Sequence, residues 1–185
     1  ASFPVCLAAR ILNIPFIIYE NNIQIGKSNK YLLPFAFKIF VSYQDLLGIQ
    51  NKHNHKVIVT GNIIRKEILN FKRSSFFSKE RLNILVLGGS QAAKSFGELL
   101  PGIFEQCSNE NIKVRIFQQC TVSQTAKLSE IYKHLNFDFQ LFNFSNNILE
   151  YFAKAELVIT RSGASVTAEL INCNIPFISI PYPHA

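Results

Sequence analysis

From Leu82 to Leu87 the chain is Leu, Ile and Val broken by a single Asn. It then stops in Gly88, Gly89 and Ser90 before alanines and charged residues recur at helical spacing. A strand without polar alternation is covered on both faces, as happens when helices pack on either side of a parallel sheet. The two glycines allow a sharp turn, and a helix opening near Ser90 aims unpaired N–H groups and the positive end of its dipole at whatever sits there. Such a turn either cradles a phosphate or is an ordinary strand-to-helix connection, and taken alone the stretch leaves both open. It does dictate a βα unit.

The same alternation runs along the chain. Helices are expected near 3–12, 27–38, 92–108, 123–135, 146–154 and 165–173, and strands at 15–20, 39–43, 56–60, 83–88, 113–119, 137–142, 156–160 and 176–180. That order predicts an α/β fold on parallel sheets. Residues 62–81 mix charges, Ser and Phe without clean period, so the expected organisation is a domain over 1–62, a basic linker over 63–81 and a second domain over 82–185. The pentapeptide NIPFI occurs at 13–17 and again at 174–178, each time between a helix and a strand. Asn closes a helix in the left-handed conformation and the proline forbids its continuation, which predicts two halves on one plan.

Composition narrows the class. With 185 residues, 48% hydrophobic and 17% charged, the chain buries a sizeable core. Its longest apolar stretch, 31–41, contains Pro34 and Lys38 and falls short of the roughly 20 residues of a membrane span. No signal peptide is visible at the start, and the lack of Met and the loop-like end at Ala185 read as a piece of a longer protein. Cys6, Cys107, Cys120 and Cys173 form no CxxC pair and read as reduced, cytoplasmic residues. From Lys52 to Arg81 there are eight Lys or Arg against two Glu. Such a run either seeks anions or is a solvated linker; without interleaved aromatics or a binding module it does not read as a nucleic-acid surface.

Four constellations carry chemistry. One is Gly88-Gly89-Ser90. A second is the run 156–171, where a strand enters the small turn Arg161-Ser162-Gly163-Ala164 and then a helix whose first turn is expected to contain Glu169. The turn would offer N–H groups to a phosphate, and the carboxylate could accept hydrogen bonds from a vicinal diol such as ribose. Helix capping by Ser165, with Glu169 favouring the dipole, is the alternative. In the third, a strand ends at Gly61-Asn62 and sets Arg65 just beyond, suited to a bidentate grip on a diphosphate or simply a surface arginine. The fourth is Glu20, Asn21 and Asn22 at the end of the first strand. With Asp45 and Asp138 the only aspartates, there is no DxD pair for a metal-bound nucleotide. His53 and His55 lack acidic or Cys partners nearby, so neither metal nor other cofactor is expected. Neither GxSxG nor GxxxxGK[ST] occurs.

The stretches GNIIR, GGSQAAK and RSGASVTAE, in this order, resemble the GNPxR, GGSQGA and RSGAxTxxE motifs of the MurG glycosyltransferases. The resemblance implies GT-B architecture, two Rossmann-like domains with donor mainly on the second and acceptor mainly on the first. It further implies transfer of N-acetylglucosamine from UDP-N-acetylglucosamine to undecaprenyl-linked lipid I, giving lipid II for peptidoglycan, with inversion, at the cytoplasmic membrane face. Carried over by position, Arg65, Gly89, Ser90, Gly163, Ala164 and Glu169 are donor-site residues, and Glu20 and Asn22 lie on the acceptor side. Tyr19 stands where the family has His, Ala92 where it has a third Gly, and Ser145 within a stretch where it has an Ile-Asp pair. The family's GGTGGH loop would precede Ala1 and its sugar-contacting glutamines would follow Ala185. The general base is therefore expected outside this chain, and the chain alone is expected not to catalyse transfer. A UDP-sugar 2-epimerase, or a basic binding module without catalysis, are the alternatives.

Overall fold

The computed structural model describes residues 2–73 and 80–181, with backbone alone for residues 2 and 90–93. It divides into two compact units, Ala1–Ile64 and Arg65–Ala185. The first is built from α1 (Ser2–Ile11), β1 (Ile17–Glu20), α2 (Lys27–Leu32), β2 (Lys38–Val41) and β3 (Val57–Val59). Its strands are parallel in the order β1-β2-β3, with Ile18 opposite Ile39 and Ile39 opposite Val57. Ile18, Leu32, Leu33, Ala36, Ile39 and Val41 form the core. Helix α2 stops well before the expected residue 38. Pro34 has no N–H to continue the ladder, and the chain tightens into a turn in which Ala36 N–H donates to Leu32 O at 3.1 Å. Lys56 Nζ donates to the carbonyls of Leu33, Pro34 and Ala36 at 3.3, 2.8 and 2.8 Å, neutralising that helix end.

The second unit contains α3 (Lys66–Leu69), β4 (Leu82–Leu87), α4 (Gly89–Asn109), β5 (Val114–Gln119), α5 (Thr125–His134), β6 (Asp138–Phe142), α6 (Ile148–Lys154), β7 (Leu157–Arg161), α7 (Ala164–Asn172) and β8 (Phe177–Ile180). All five strands are parallel, in the order β6-β5-β4-β7-β8. Ile84, Val86 and Ile116 from the strands pack with Phe96, Phe104, Leu128 and Tyr132 from α4 and α5. The α/β fold on parallel sheets is thus the one expected.

Part of the stretch read as a basic linker is structured. Helix α3 buries Ile68 to 1% exposure. The Arg73 guanidinium donates to the carbonyls of Asn174, Ala155 and Glu156. Arg65 pairs with Glu169 and Arg81 with Asp138. With Lys56, four of the eight basic residues are therefore engaged inside the chain, which weakens the case for a surface that collects polyanions.

Four helices end alike. Asn13, Asn111, Asn136 and Asn174 follow α1, α4, α5 and α7 with φ of 57°, 58°, 55° and 52°. In each case the next residue's N–H reaches back five residues, Ile14 to Ala9, Ile112 to Cys107, Phe137 to Tyr132 and Ile175 to Leu170, at 2.8 to 3.1 Å. This is the Schellman closure, with Asn taking the left-handed position usually held by Gly and an apolar residue behind it. The NIPFI repeat signals two of these closures, and the other two carry the same Asn followed by Ile or Phe.

Candidate functional site

Strand β4 is central, and the strand order reverses where it meets β7. In open α/β sheets ligands settle outside the carboxyl ends of the strands at such a switch point. Both small-residue turns are there. Gly88 precedes α4, and Gly89 adopts φ +62°, a backbone state that a side chain strains. Gly163 precedes α7, and Thr167 donates its N–H to Gly163 O at 3.1 Å. Helix α7 begins at Ala164, so Glu169 lies in its second turn, not the first as expected, and Gly163 is the residue at the N-cap position. The side chains of Ser90 and Ala92 lie outside the described residues.

A cleft of about 330 Å³ opens at these strand ends, lined by Arg65, Leu87, Gln119, Phe142, Ser145 and Glu169 among others. Arg65 and Glu169, separated by 104 positions in sequence, form a bidentate pair, Nε to Oε1 at 2.9 Å and Nη2 to Oε2 at 3.0 Å. That hydrogen-bonded carboxylate holds the Arg65 pKa above its ordinary value. Two charges of opposite sign at one cleft wall can each turn to a ligand: the guanidinium to phosphate, the carboxylate to hydroxyls. A larger cavity, about 620 Å³, lies at the other ends of the strands, between Arg81, Val114 and Asp138. It lacks both glycine turns, which makes the smaller cleft the candidate site.

Gln119 is the residue that the sequence reading missed. It ends β5, receives the Gly89 N–H on Oε1 at 3.1 Å, and donates from Nε2 to Asn143 O at 3.1 Å. The available signal was the polar pair Gln118-Gln119 closing an apolar strand. Alternation sends Gln118 into the core, where it is fully buried against the Tyr132 hydroxyl, and Gln119 to the opposite side.

In the first unit, Glu20 and Asn22 stand at the carboxyl end of β1, and they are bonded to each other. Glu20 is 3% exposed, and its carboxylate accepts from Asn22 N (3.1 Å), Asn22 Nδ2 (2.8 Å), Gly26 N (2.8 Å) and Asn29 Nδ2 (2.9 Å). Burial raises its pKa, the bonds from Gly26, Asn29 and Asn22 lower it, and the net is below the ordinary value. Glu20 thus organises loop 21–29. Tyr19 directs its hydroxyl to Ser42 Oγ at 3.0 Å and accepts the Ile63 N–H at 3.0 Å, tying β1 to the turn after β3.

A five-stranded parallel sheet with its strand order reversing at β4, and with glycine turns at that point, is a Rossmann-like architecture. The chain belongs to glycosyltransferase family 28, whose C-terminal domain model matches residues 83–185. Over 184 residues, 100% of this chain and 51% of the relative, it is 36% identical to the UDP-N-acetylglucosamine--N-acetylmuramyl-(pentapeptide) pyrophosphoryl-undecaprenol N-acetylglucosamine transferase of Pelagibacter ubique. Identity is 37% to the protein of the same name from Rickettsia felis, covering 96% of this chain and 52% of that one. The crystal structure of Acinetobacter baumannii MurG matches with a TM-score of 0.72 at 27% identity, over 100% of this chain and 51% of that chain. The chain spans about half the length of the curated relatives it matches.

Proposed function

We propose that the protein to which this chain belongs is an inverting glycosyltransferase that moves N-acetylglucosamine from UDP-N-acetylglucosamine to lipid I, forming lipid II in peptidoglycan synthesis. The observation that carries this reading is the 36% identity to the P. ubique transferase along the whole chain. The cleft supports the donor half. Arg65 takes the diphosphate, the turns at Gly89 and Ser90 and at Gly163 and Ala164 point the N-termini of α4 and α7 toward it, and Glu169 accepts from the ribose diol. Transfer is a direct displacement: the acceptor hydroxyl oxygen forms its bond to the anomeric carbon and gives its proton to a base outside this chain as the bond to UDP breaks. Negative charge grows on the departing diphosphate, where Arg65 and the helix N-termini meet it without a metal. On the acceptor side, Glu20 and Asn22 act by holding loop 21–29 in shape.

The test is lipid II formation from lipid I and labelled UDP-N-acetylglucosamine by the longer parent protein, with a chelator present. Label appearing in lipid II supports the reading. Epimerised nucleotide sugar with no lipid product overturns it in favour of a 2-epimerase.

We also propose peripheral contact with the cytoplasmic membrane face. No described helix is long and apolar enough to cross a membrane. The run 27–40 divides its side chains: Leu32, Leu33, Ala36 and Ile39 are in the core, while Tyr31, Phe35 and Phe37 are 73, 51 and 67% exposed beside Lys27 and Lys30. Exposed aromatics with lysines suit an anionic interface. Sedimentation with vesicles is expected to show binding to anionic lipid that falls as salt rises. Equal binding to neutral vesicles at low and high salt would remove the electrostatic part.

A further inference from the structure

We propose that Gln119 is a positioning residue for nucleotide binding, a clamp that sets the distance between the two sides of the cleft; this rests on the donor-site reading above. Its carboxamide makes a hydrogen bond to each side. Oε1 holds the Gly89 N–H of the turn after β4, and Nε2 holds the Asn143 carbonyl at the start of the loop after β6. The loop is tied a second time to the same strand end, because Asn143 Nδ2 donates to Cys120 O at 3.1 Å and Cys120 N–H donates to Phe142 O at 2.9 Å. Beyond Asn143, Ser145 Oγ receives the Asn147 N–H at 3.2 Å, and before it the last residue of β6, Phe142, stacks on Tyr151 of α6 with ring centroids 4.3 Å apart, so the loop has a defined shape and fixed ends. On that reading Gly89 belongs to the phosphate side, and Phe144, Ser145 and Asn146, which line the cleft together with the ribose-assigned Glu169, belong to the nucleoside side, so a ligand spanning both measures their separation and one that touches a single side does not.

That difference makes the role testable. Calorimetry and competition would compare UDP, uridine and inorganic pyrophosphate on the wild-type protein and on Gln119→Met, which keeps the side-chain length and removes both hydrogen bonds. UDP affinity is expected to fall about tenfold, as when two linked contacts no longer match the span of one ligand. Uridine and pyrophosphate are each expected to change by less than about twofold, since neither reads the span. Asn143→Ala, which cuts the second tie, is expected to give the same pattern and serves if Gln119→Met does not fold; a thermal midpoint for each variant identifies that case. Unchanged UDP affinity overturns the clamp. So does a loss shared equally by uridine or pyrophosphate, which would mark Gln119 as a direct contact or the variant as damaged. A wild-type protein that binds no UDP brings down the donor reading itself, a result distinguishable from both.

Discussion

Calorimetry on Glu169→Ala is expected to show UDP binding weakened by about 1 to 3 kcal/mol, roughly 5- to 150-fold. The carboxylate is assigned two ribose hydroxyls, and hydrogen bonds to a charged group are the stronger kind. Uridine should weaken as well, because the loss lies on the ribose. Arg65→Ala should weaken UDP and leave uridine nearly unchanged, since it removes the diphosphate's partner and leaves the Glu169 charge facing the anion. Glu169 and Arg65 hold each other at 2.9 and 3.0 Å, so the two losses should not add in the double variant. Stability should hardly move. The Arg65 side chain is 54% exposed, and pairs so open to water are worth about 1 kcal/mol or less. Unchanged UDP affinity in Glu169→Ala sinks the ribose assignment.

The largest expected stability effect is at Glu20. Removing a carboxylate that is 3% exposed and satisfies two backbone and two side-chain N–H donors leaves those donors without a partner, and Glu20→Ala is expected to cost about 2 to 4 kcal/mol in the first unit. The pH dependence has a definite sign. Its folded pKa lies below the ordinary 4.5, so the contribution is fully present above that value and is lost as pH falls through the folded pKa. Amide exchange at Gly26 and along β1 reads it locally. The gap in protection between wild type and Glu20→Gln should be wide at neutral pH and close as acid titrates the wild-type carboxylate. A gap that stays constant below pH 4.5 would show that the ionised carboxylate is not what holds the loop.

The elements that sequence made legible are those whose cause is local. The apolar run at β4, the Gly-Gly turn and the Asn-Ile-Pro closures each contain their own reason within a few residues. Helix α2 was read too long because the apolar period continues through Pro34 while the hydrogen-bond ladder cannot. Helix α3 was read as linker because its short Lys-Glu-Ile-Leu core has no period; it exists because Ile68 finds a tertiary pocket. At the site, Arg65 and Glu169 could be singled out as types suited to phosphate and diol, and their pairing could not, because only the fold brings them together. Glu20 was legible as a polar group at a strand end. Its donors come from Asn22, Gly26 and Asn29, and nothing in that spacing says that loop 21–29 wraps around the carboxylate. Gln119 went unnoticed because its partners are backbone atoms, which leave no mark on residue type.

The central place of β4 also bears on how the chain is made. One edge of β4 pairs with β5, starting at Leu82 opposite Val114, but the other waits for β7, where Ile84 meets Leu157. At ribosomal rates of roughly 5–20 residues per second, β7 emerges about 4 to 15 seconds after β4. Throughout that interval the strand that will be most deeply enclosed keeps an apolar edge open. A nascent chain halted before residue 157 is therefore expected to hold its central strand with one edge unpaired, open to pairing with another chain.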